Sequence, residues 1–79
     1  MNNVVADERH LVNCAGLRFA SKQDNVWSNK TTYQIEINYK GVTKQLLYDT
    51  DREARDRLFE KIVWQIEKSR LCGTTAIGN

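Results

Sequence analysis

Residues 31–70 read TTYQIEINYKGVTKQLLYDTDREARDRLFEKIVWQIEKSR, and the predicted fold rests on this stretch. From Tyr33 onward apolar and polar side chains alternate strictly, which is the two-residue period of a strand with one buried face. A glycine follows at position 41, and glycine supplies the positive φ that a two-residue hairpin turn needs. We therefore predict two antiparallel strands, at about 31–40 and 42–48. The inward-facing residues of the first strand are Tyr33, Ile35, Ile37 and Tyr39.

A turn at Lys40-Gly41 also predicts which residues face each other across the hairpin. Ile37 then lies opposite Lys44, so a lysine falls on the inner face unless its stem snorkels outward or a bulge shifts the register. The other predicted pairs are apolar on both sides: Tyr39 with Val42, Ile35 with Leu46, and Tyr33 with Tyr48.

The second half of the stretch predicts an amphipathic helix over about 51–70. Thr50 and Glu53 fit a capping box, in which each side chain accepts a hydrogen bond from the other's backbone amide. Gly73 is a plausible left-handed stop. At 100° per residue the apolar residues fall within an arc of about 140°, as expected for a helix that packs on a sheet: Leu58, Phe59, Ile62, Val63 and Ile66.

The residues before the hairpin predict a third strand and a loop. Apolar side chains occupy even-numbered positions just before Gly16 and odd-numbered positions after it. We therefore predict one bent strand over about 11–21 with a bulge at this glycine, paired with the Tyr33 strand. Residues 21–30 are polar and predict a long loop. Trp27 in this loop has two open interpretations, a lid folded over the core or a contact residue.

Together these elements predict an α+β fold with β-β-β-α order, a three-stranded antiparallel sheet packed by one C-terminal amphipathic helix. The 79 residues form one domain, with flexible ends at 1–10 and 73–79 as an open possibility. Residues 33–62 resemble, in element order, the ending of pleckstrin-homology-like modules and of many small phage-encoded proteins. The resemblance covers about the second half of the chain and implies a hairpin followed by a capped helix.

Composition restricts the classes of partner. Twelve Lys and Arg against ten Asp and Glu give a net charge of +2 with the signs interspersed, which permits an anionic partner without requiring one. No apolar run approaches the roughly 20 residues of a membrane span. We expect a cytoplasmic protein without membrane contact, in which Cys14 and Cys72 are reduced thiols rather than a disulfide.

Catalysis, metal binding and cofactors are not expected. The single histidine, His10, lies in an irregular segment, and Cys14 four residues later is more typical of a buried thiol than of a nucleophile. The acids near the helix start suit the helix dipole and match no calcium loop.

Trp64 is the most informative residue, because it falls on the helix side opposite the apolar stripe beside Arg57, Lys61 and Lys68. Three explanations stay open: an oligomer contact, a surface that stacks on a base, or packing against the N-terminal segment. Arg55 and Lys44 fall on inner faces, where Asp49, Glu36 or an anionic ligand could neutralise them.

The expected function is a small non-enzymatic binding or inhibitory module that acts as a homo-oligomer. Such a module, of the kind phages and mobile elements encode, would block or sequester a partner protein through Trp27, Trp64 and the neighbouring cations. The alternative is a protein that binds nucleic acid or a small nucleotide. Its anion-binding residues would be Arg18, Lys44, Arg55 and Arg57.

Overall fold

The computed structural model describes residues 3–78, with side chains described for residues 3–68. The observed α+β fold agrees with the prediction, although it contains an additional two-stranded sheet. The elements in chain order are β1 (Val4–Ala6), β2 (Leu11–Asn13), β3 (Leu17–Trp27), β4 (Lys30–Tyr39), β5 (Val42–Leu47) and α1 (Arg52–Gly78).

The three-stranded antiparallel sheet has the order β3-β4-β5, and its second hairpin has the predicted register. Ile35 faces Leu46, and Gly41 in the turn has a φ of 77°. The pairing continues one step past β5, because the amide of Tyr48 donates to the carbonyl of Tyr33 at 2.9 Å. This register sends Ile35 and the fully buried Tyr48 to the same inner face.

The prediction of one bent strand over 11–21 was wrong. The chain makes a turn around Gly16, whose φ is 79°, so β2 and β3 belong to different sheets. The register irregularity expected at this glycine lies instead between Leu17 and Phe19. The shift of apolar residues from even to odd positions at Gly16 reflects a turn rather than a bulge, because the positive φ of a glycine suits both.

The predicted loop over 21–30 is also absent, since β3 continues to Trp27 and turns into β4 through Ser28-Asn29. Ser28 adopts the positive φ of 57° in this two-residue turn. The sequence did not indicate this part of β3, because the side chains on both faces of the strand are polar between residues 21 and 25. Lys22 and Asp24 point toward the helix, where they meet Asp56 and Arg55 respectively.

The N-terminal segment forms a small hairpin of β1 and β2. Its turn is held by Asp7, whose Oδ1 accepts hydrogen bonds from the amides of Arg9 and His10, both at 2.8 Å. The hairpin contributes Val5 and Val12 to the core. It therefore completes the core beside the helix, which packs chiefly on β3 and β4.

The helix begins one residue later than the predicted capping box. Asp51, rather than Thr50, is the N-cap, since its Oδ1 accepts a hydrogen bond from the amide of Ala54 at 3.1 Å. The predicted end near residue 70 was wrong as well, because α1 continues to Gly78. The buried stripe of the helix contains Leu58 and Ile62, as its period predicted, and extends back to Ala54.

Lys44 faces Ile37 in a regular register without a bulge, and it is exposed. Because the helix covers β3 and β4, the turn end of β5 is left open to solvent, and Val42 is also 49% exposed. The opposite face of the sheet is polar at its centre, with an amide chain from Asn25 through Gln34 to Gln23.

Candidate functional site

Trp64 lies in a concavity between the outer side of α1 and strand β1. Its side chain is 57% exposed, while Ile62, two residues earlier, is completely buried. Residues two positions apart on a helix point about 200° from each other, so the two sides of α1 have different roles. The concavity has a volume of about 490 Å³ and is lined by Val5, Arg57, Glu60, Lys61, Trp64 and Gln65.

Three cations surround this tryptophan, as the sequence predicted. The Nζ of Lys68 lies 4.8 Å from the centre of a Trp64 ring, within cation–π distance. The Nζ of Lys61 donates to the carbonyl of Ala6 at 3.4 Å, which links the helix to β1. Arg57 makes a loose contact of 3.9 Å with the exposed Glu53. The ammonium and guanidinium groups of Lys68 and Arg57 therefore remain accessible around an aromatic surface.

Val5 gives this concavity an apolar wall, and Tyr48 anchors the hairpin that carries it. The hydroxyl of Tyr48 donates to Asp7 Oδ2 at 2.6 Å. Burial, followed by this hydrogen bond, raises the pKa of Tyr48. Burial opposes ionisation of Asp7, but the hydrogen bonds from Tyr48, Arg9 and His10 outweigh it and lower the pKa of the carboxyl group. The sequence analysis offered the N-terminal segment as a packing partner of Trp64 but did not single out Val5, because the position of β1 depends on this distant contact.

Trp27 is not a lid. It ends β3 at the tip of the β3–β4 hairpin and is 81% exposed, next to Val26 at 73%. The helix starts near Gln23, to whose carbonyl Arg55 donates at 2.9 Å. Four strand residues at about 3.3 Å each carry the tip roughly 13 Å farther. The tip thus projects beyond the helix, with two large apolar side chains in solvent.

Arg55 is buried as predicted, but its neutralising acids are Asp24 and Asp56 rather than Asp49 or Glu36. Its guanidinium donates to Asp24 at 2.8 Å and to Asp56 at 2.7 Å, and its side chain is 3% exposed. Burial disfavours the charge, but the bonds to the two acids outweigh burial and raise the pKa of Arg55. The hydrogen bond from Arg55 in turn lowers the pKa of Asp56. An external anion therefore has no open access to this guanidinium.

The four residues predicted to bind an anion do not converge. Arg18 lies at the start of β3 and Arg55 contacts Gln23 in the same strand, so five residues, about 16 Å, separate these positions. Arg57 faces the opposite side of the helix from Arg55, and Lys44 is on β5. No single surface collects these cations.

The remaining candidate groups are His10 and Cys14. His10 Nε2 lies 2.9 Å from the carbonyl of Leu47, and its ring meets Tyr48 edge-on with 4.8 Å between centroids. Cys14 is half-buried, and burial raises the pKa of its thiol. A pairing of Cys14 with Cys72 lies outside the described side chains. Within residues 3–68, no group of three or more His, Cys, Asp and Glu side chains could hold a metal ion.

No family model, curated protein or solved structure matches this chain. In the part of the chain that the structure describes, no helix is both long enough and apolar enough to cross a bilayer.

Proposed function

We propose that this protein is a non-enzymatic binding module that works as a homo-oligomer and blocks or sequesters a partner protein. The partner inserts an apolar side chain of a segment that also carries an acidic residue into the concavity around Trp64. The observation that carries this proposal is a tryptophan 57% exposed inside a concavity of about 490 Å³, with accessible cations at its rim.

The chemistry of the concavity defines the partner. Trp64 and Val5 offer an apolar floor and wall, and burial of a tryptophan removes a large apolar area from water. Tryptophan and arginine are the residue types that most often dominate the energy of protein interfaces. Arg57 and Lys68 favour a carboxylate at the rim. Glu60 also lines the concavity and disfavours a highly acidic partner.

The experiment is a peptide selection with matched baits. A peptide display library is selected on the wild-type protein and counter-selected on Trp64→Ala, which leaves the buried stripe intact. We expect peptides with a large apolar residue next to Asp or Glu, whose affinity falls at least tenfold on Trp64→Ala and changes less than about twofold on Trp27→Ala. Peptides that bind both baits equally well would refute the role of Trp64.

Binding of nucleic acid is the second candidate, favoured by the position of Lys68 over the Trp64 ring at 4.8 Å. An exposed aromatic ring with a neighbouring cation can stack on a base and contact its phosphate. Titration with an oligothymidylate tests it. Binding that weakens steeply with salt and disappears in Trp64→Ala would support this alternative, because phosphate contacts release counterions. Absence of binding at low salt would refute it.

A further inference from the structure

Strand β3 presents an open edge of the sheet. It pairs only with β4 among the described strands. Trp27 and Lys30 flank a two-residue turn, which makes them a hydrogen-bonded pair, and such pairs alternate along an antiparallel ladder. Odd-numbered residues from Phe19 to Trp27 therefore bond to β4, and the even-numbered residues between them direct their amides and carbonyls outward. The outward residues are Ala20, Lys22, Asp24 and Val26.

A second copy of β3 can pair with this edge in few ways. In an antiparallel pair, outward-directed residues must face outward-directed residues. The two-fold axis must therefore pass between one residue and the same residue of the second copy. Each alternative register moves this axis by one residue along the strand. An axis at Lys22 places two lysines opposite each other, and an axis at Asp24 does the same with two aspartates. Like charges directly opposite are destabilising. An axis at Gln23 avoids both conflicts.

The register centred on Gln23 is complementary at every position between Phe19 and Trp27. Lys22 faces Asp24 of the second copy, and the Asp24 side chain is 55% exposed although it accepts from Arg55. A carboxylate has two oxygens, so it can accept from both cations. The remaining pairs match polar with polar and apolar with apolar: Ser21 with Asn25, Ala20 with Val26, and Phe19 with Trp27.

This register also covers the large apolar side chains of the projecting tip. Trp27, Val26 and Phe19 are 81%, 73% and 53% exposed in the single chain. Val26 would reach the mouth of a concavity of about 180 Å³ that Ala20 and Ile66 line in the second copy, beside Arg18, Phe19, Val63 and Glu67. Trp27 would face Phe19, and each contact occurs twice by symmetry.

We infer that two copies of this chain join through antiparallel pairing of β3 with β3, centred on Gln23, into one continuous six-stranded sheet. This inference rests on the homo-oligomer part of the proposed function. It leaves the concavity around Trp64 free, because that concavity lies on the side of the helix that faces β1. The dimer would then carry two partner sites.

The opposite edge of the sheet is less suited to self-pairing. His10 Nε2 lies 2.9 Å from the carbonyl of Leu47, so the N-terminal segment already engages an outward-directed group of this strand. Gln45 on this strand therefore provides a matched control for Gln23, since each is a glutamine on an edge strand.

The experiment compares disulfide cross-linking of Gln23→Cys and Gln45→Cys in a Cys14→Ala, Cys72→Ser background. Residues facing each other across a two-fold axis in a pair without hydrogen bonds have Cα atoms about 4.5 Å apart, which permits a disulfide. We expect Gln23→Cys to form a covalent dimer on mild oxidation and Gln45→Cys to remain monomeric on a denaturing gel. Light scattering of the wild-type protein gives its oligomeric state independently.

The outcomes separate the two proposals. A dimer by light scattering without cross-linking of Gln23→Cys refutes the β3 interface and leaves the homo-oligomer intact. A monomer at every concentration refutes both the interface and the oligomer, while the peptide selection tests the Trp64 site separately.

Charge reversal is a second test that does not depend on cysteine. Lys22→Glu places glutamate opposite Asp24 twice, so the dissociation constant of the dimer should rise at least about tenfold. Lys22→Arg keeps the charge and should stay within about threefold. Lys22 is 46% exposed and makes only a loose contact of 3.8 Å with Asp56 of its own chain, so circular dichroism should show an unchanged fold. Equal dissociation constants for the two variants would overturn the inferred register.

Discussion

Removal of the Tyr48 hydroxyl tests how the N-terminal hairpin is held against the sheet. Tyr48 is fully buried, and its hydroxyl donates to the carboxylate of Asp7 at 2.6 Å. A hydrogen bond to a charged group contributes about 1.5–3 kcal/mol, so Tyr48→Phe should lower the free energy of unfolding by about 2 kcal/mol. Tyr39→Phe, which loses only a bond to the carbonyl of Asn13, should cost about 1 kcal/mol.

The effect of Tyr48→Phe should also depend on pH. The pKa of Asp7 is lowered in the folded protein from its usual 3.8. The stabilisation is therefore present above pH 3.8 and is lost as the pH falls through the lower folded value. Urea unfolding followed by circular dichroism at several pH values measures both quantities. A cost below about 0.5 kcal/mol near pH 7, or a cost that does not shrink in acid, would refute the assigned role of this bond.

Three further predictions concern buried charge, turn geometry and thiol chemistry. Arg55→Met should lower the free energy of unfolding by about 2–3 kcal/mol, because Asp24, Asp56 and the carbonyls of Gln23 and Gln34 lose their donor. Asp56→Ala should cost about 1–2 kcal/mol, because it removes an acid from the same cation; the reverse order in urea unfolding would contradict this. Gly41→Ala should cost roughly 1–2 kcal/mol in the same assay, since its φ is 77° with no neighbouring atom in the way; an unchanged midpoint would count against the turn. In a Cys72→Ser background, Cys14 should react with a disulfide reagent at least about threefold more slowly than free cysteine, since burial raises its pKa; an equal rate would argue against burial.

The hairpin of β4 and β5 could be predicted from the sequence because its burial pattern is local. Ile35 and Ile37 alternate with polar residues, and one face of this strand lies against the core. The helix was predicted for the same reason, and the 3.6-residue period correctly placed Ile62 inward and Trp64 outward. A periodic pattern carries this information because neighbouring residues share one packing environment.

The long strand β3 and the small hairpin could not be predicted, because their supporting contacts are distant in sequence. Lys22 and Asp24 occupy positions of β3 that face the helix, so apolar and polar residues do not alternate there. Their partners in the helix are 34 and 31 residues away in the sequence. The turn after β1 is closed by local bonds to Asp7, but the bond that links this hairpin to the sheet joins Asp7 to Tyr48, 41 residues away. For the site, the sequence placed Trp64 and its cations together on the outer side of the helix, but the wall formed by Val5 depended on that same distant bond.

The proposed binding surface requires that the two sides of the helix differ, with Ile62 in the core and Trp64 exposed. The most direct measurement is the free energy of unfolding of Ile62→Ala and Trp64→Ala from urea titrations of the same preparation. We expect a loss of about 2–5 kcal/mol for Ile62→Ala, which opens a cavity in the core, and less than about 1 kcal/mol for Trp64→Ala. A larger loss for Trp64→Ala than for Ile62→Ala would contradict it, because Trp64 would then be a core residue rather than part of a binding surface.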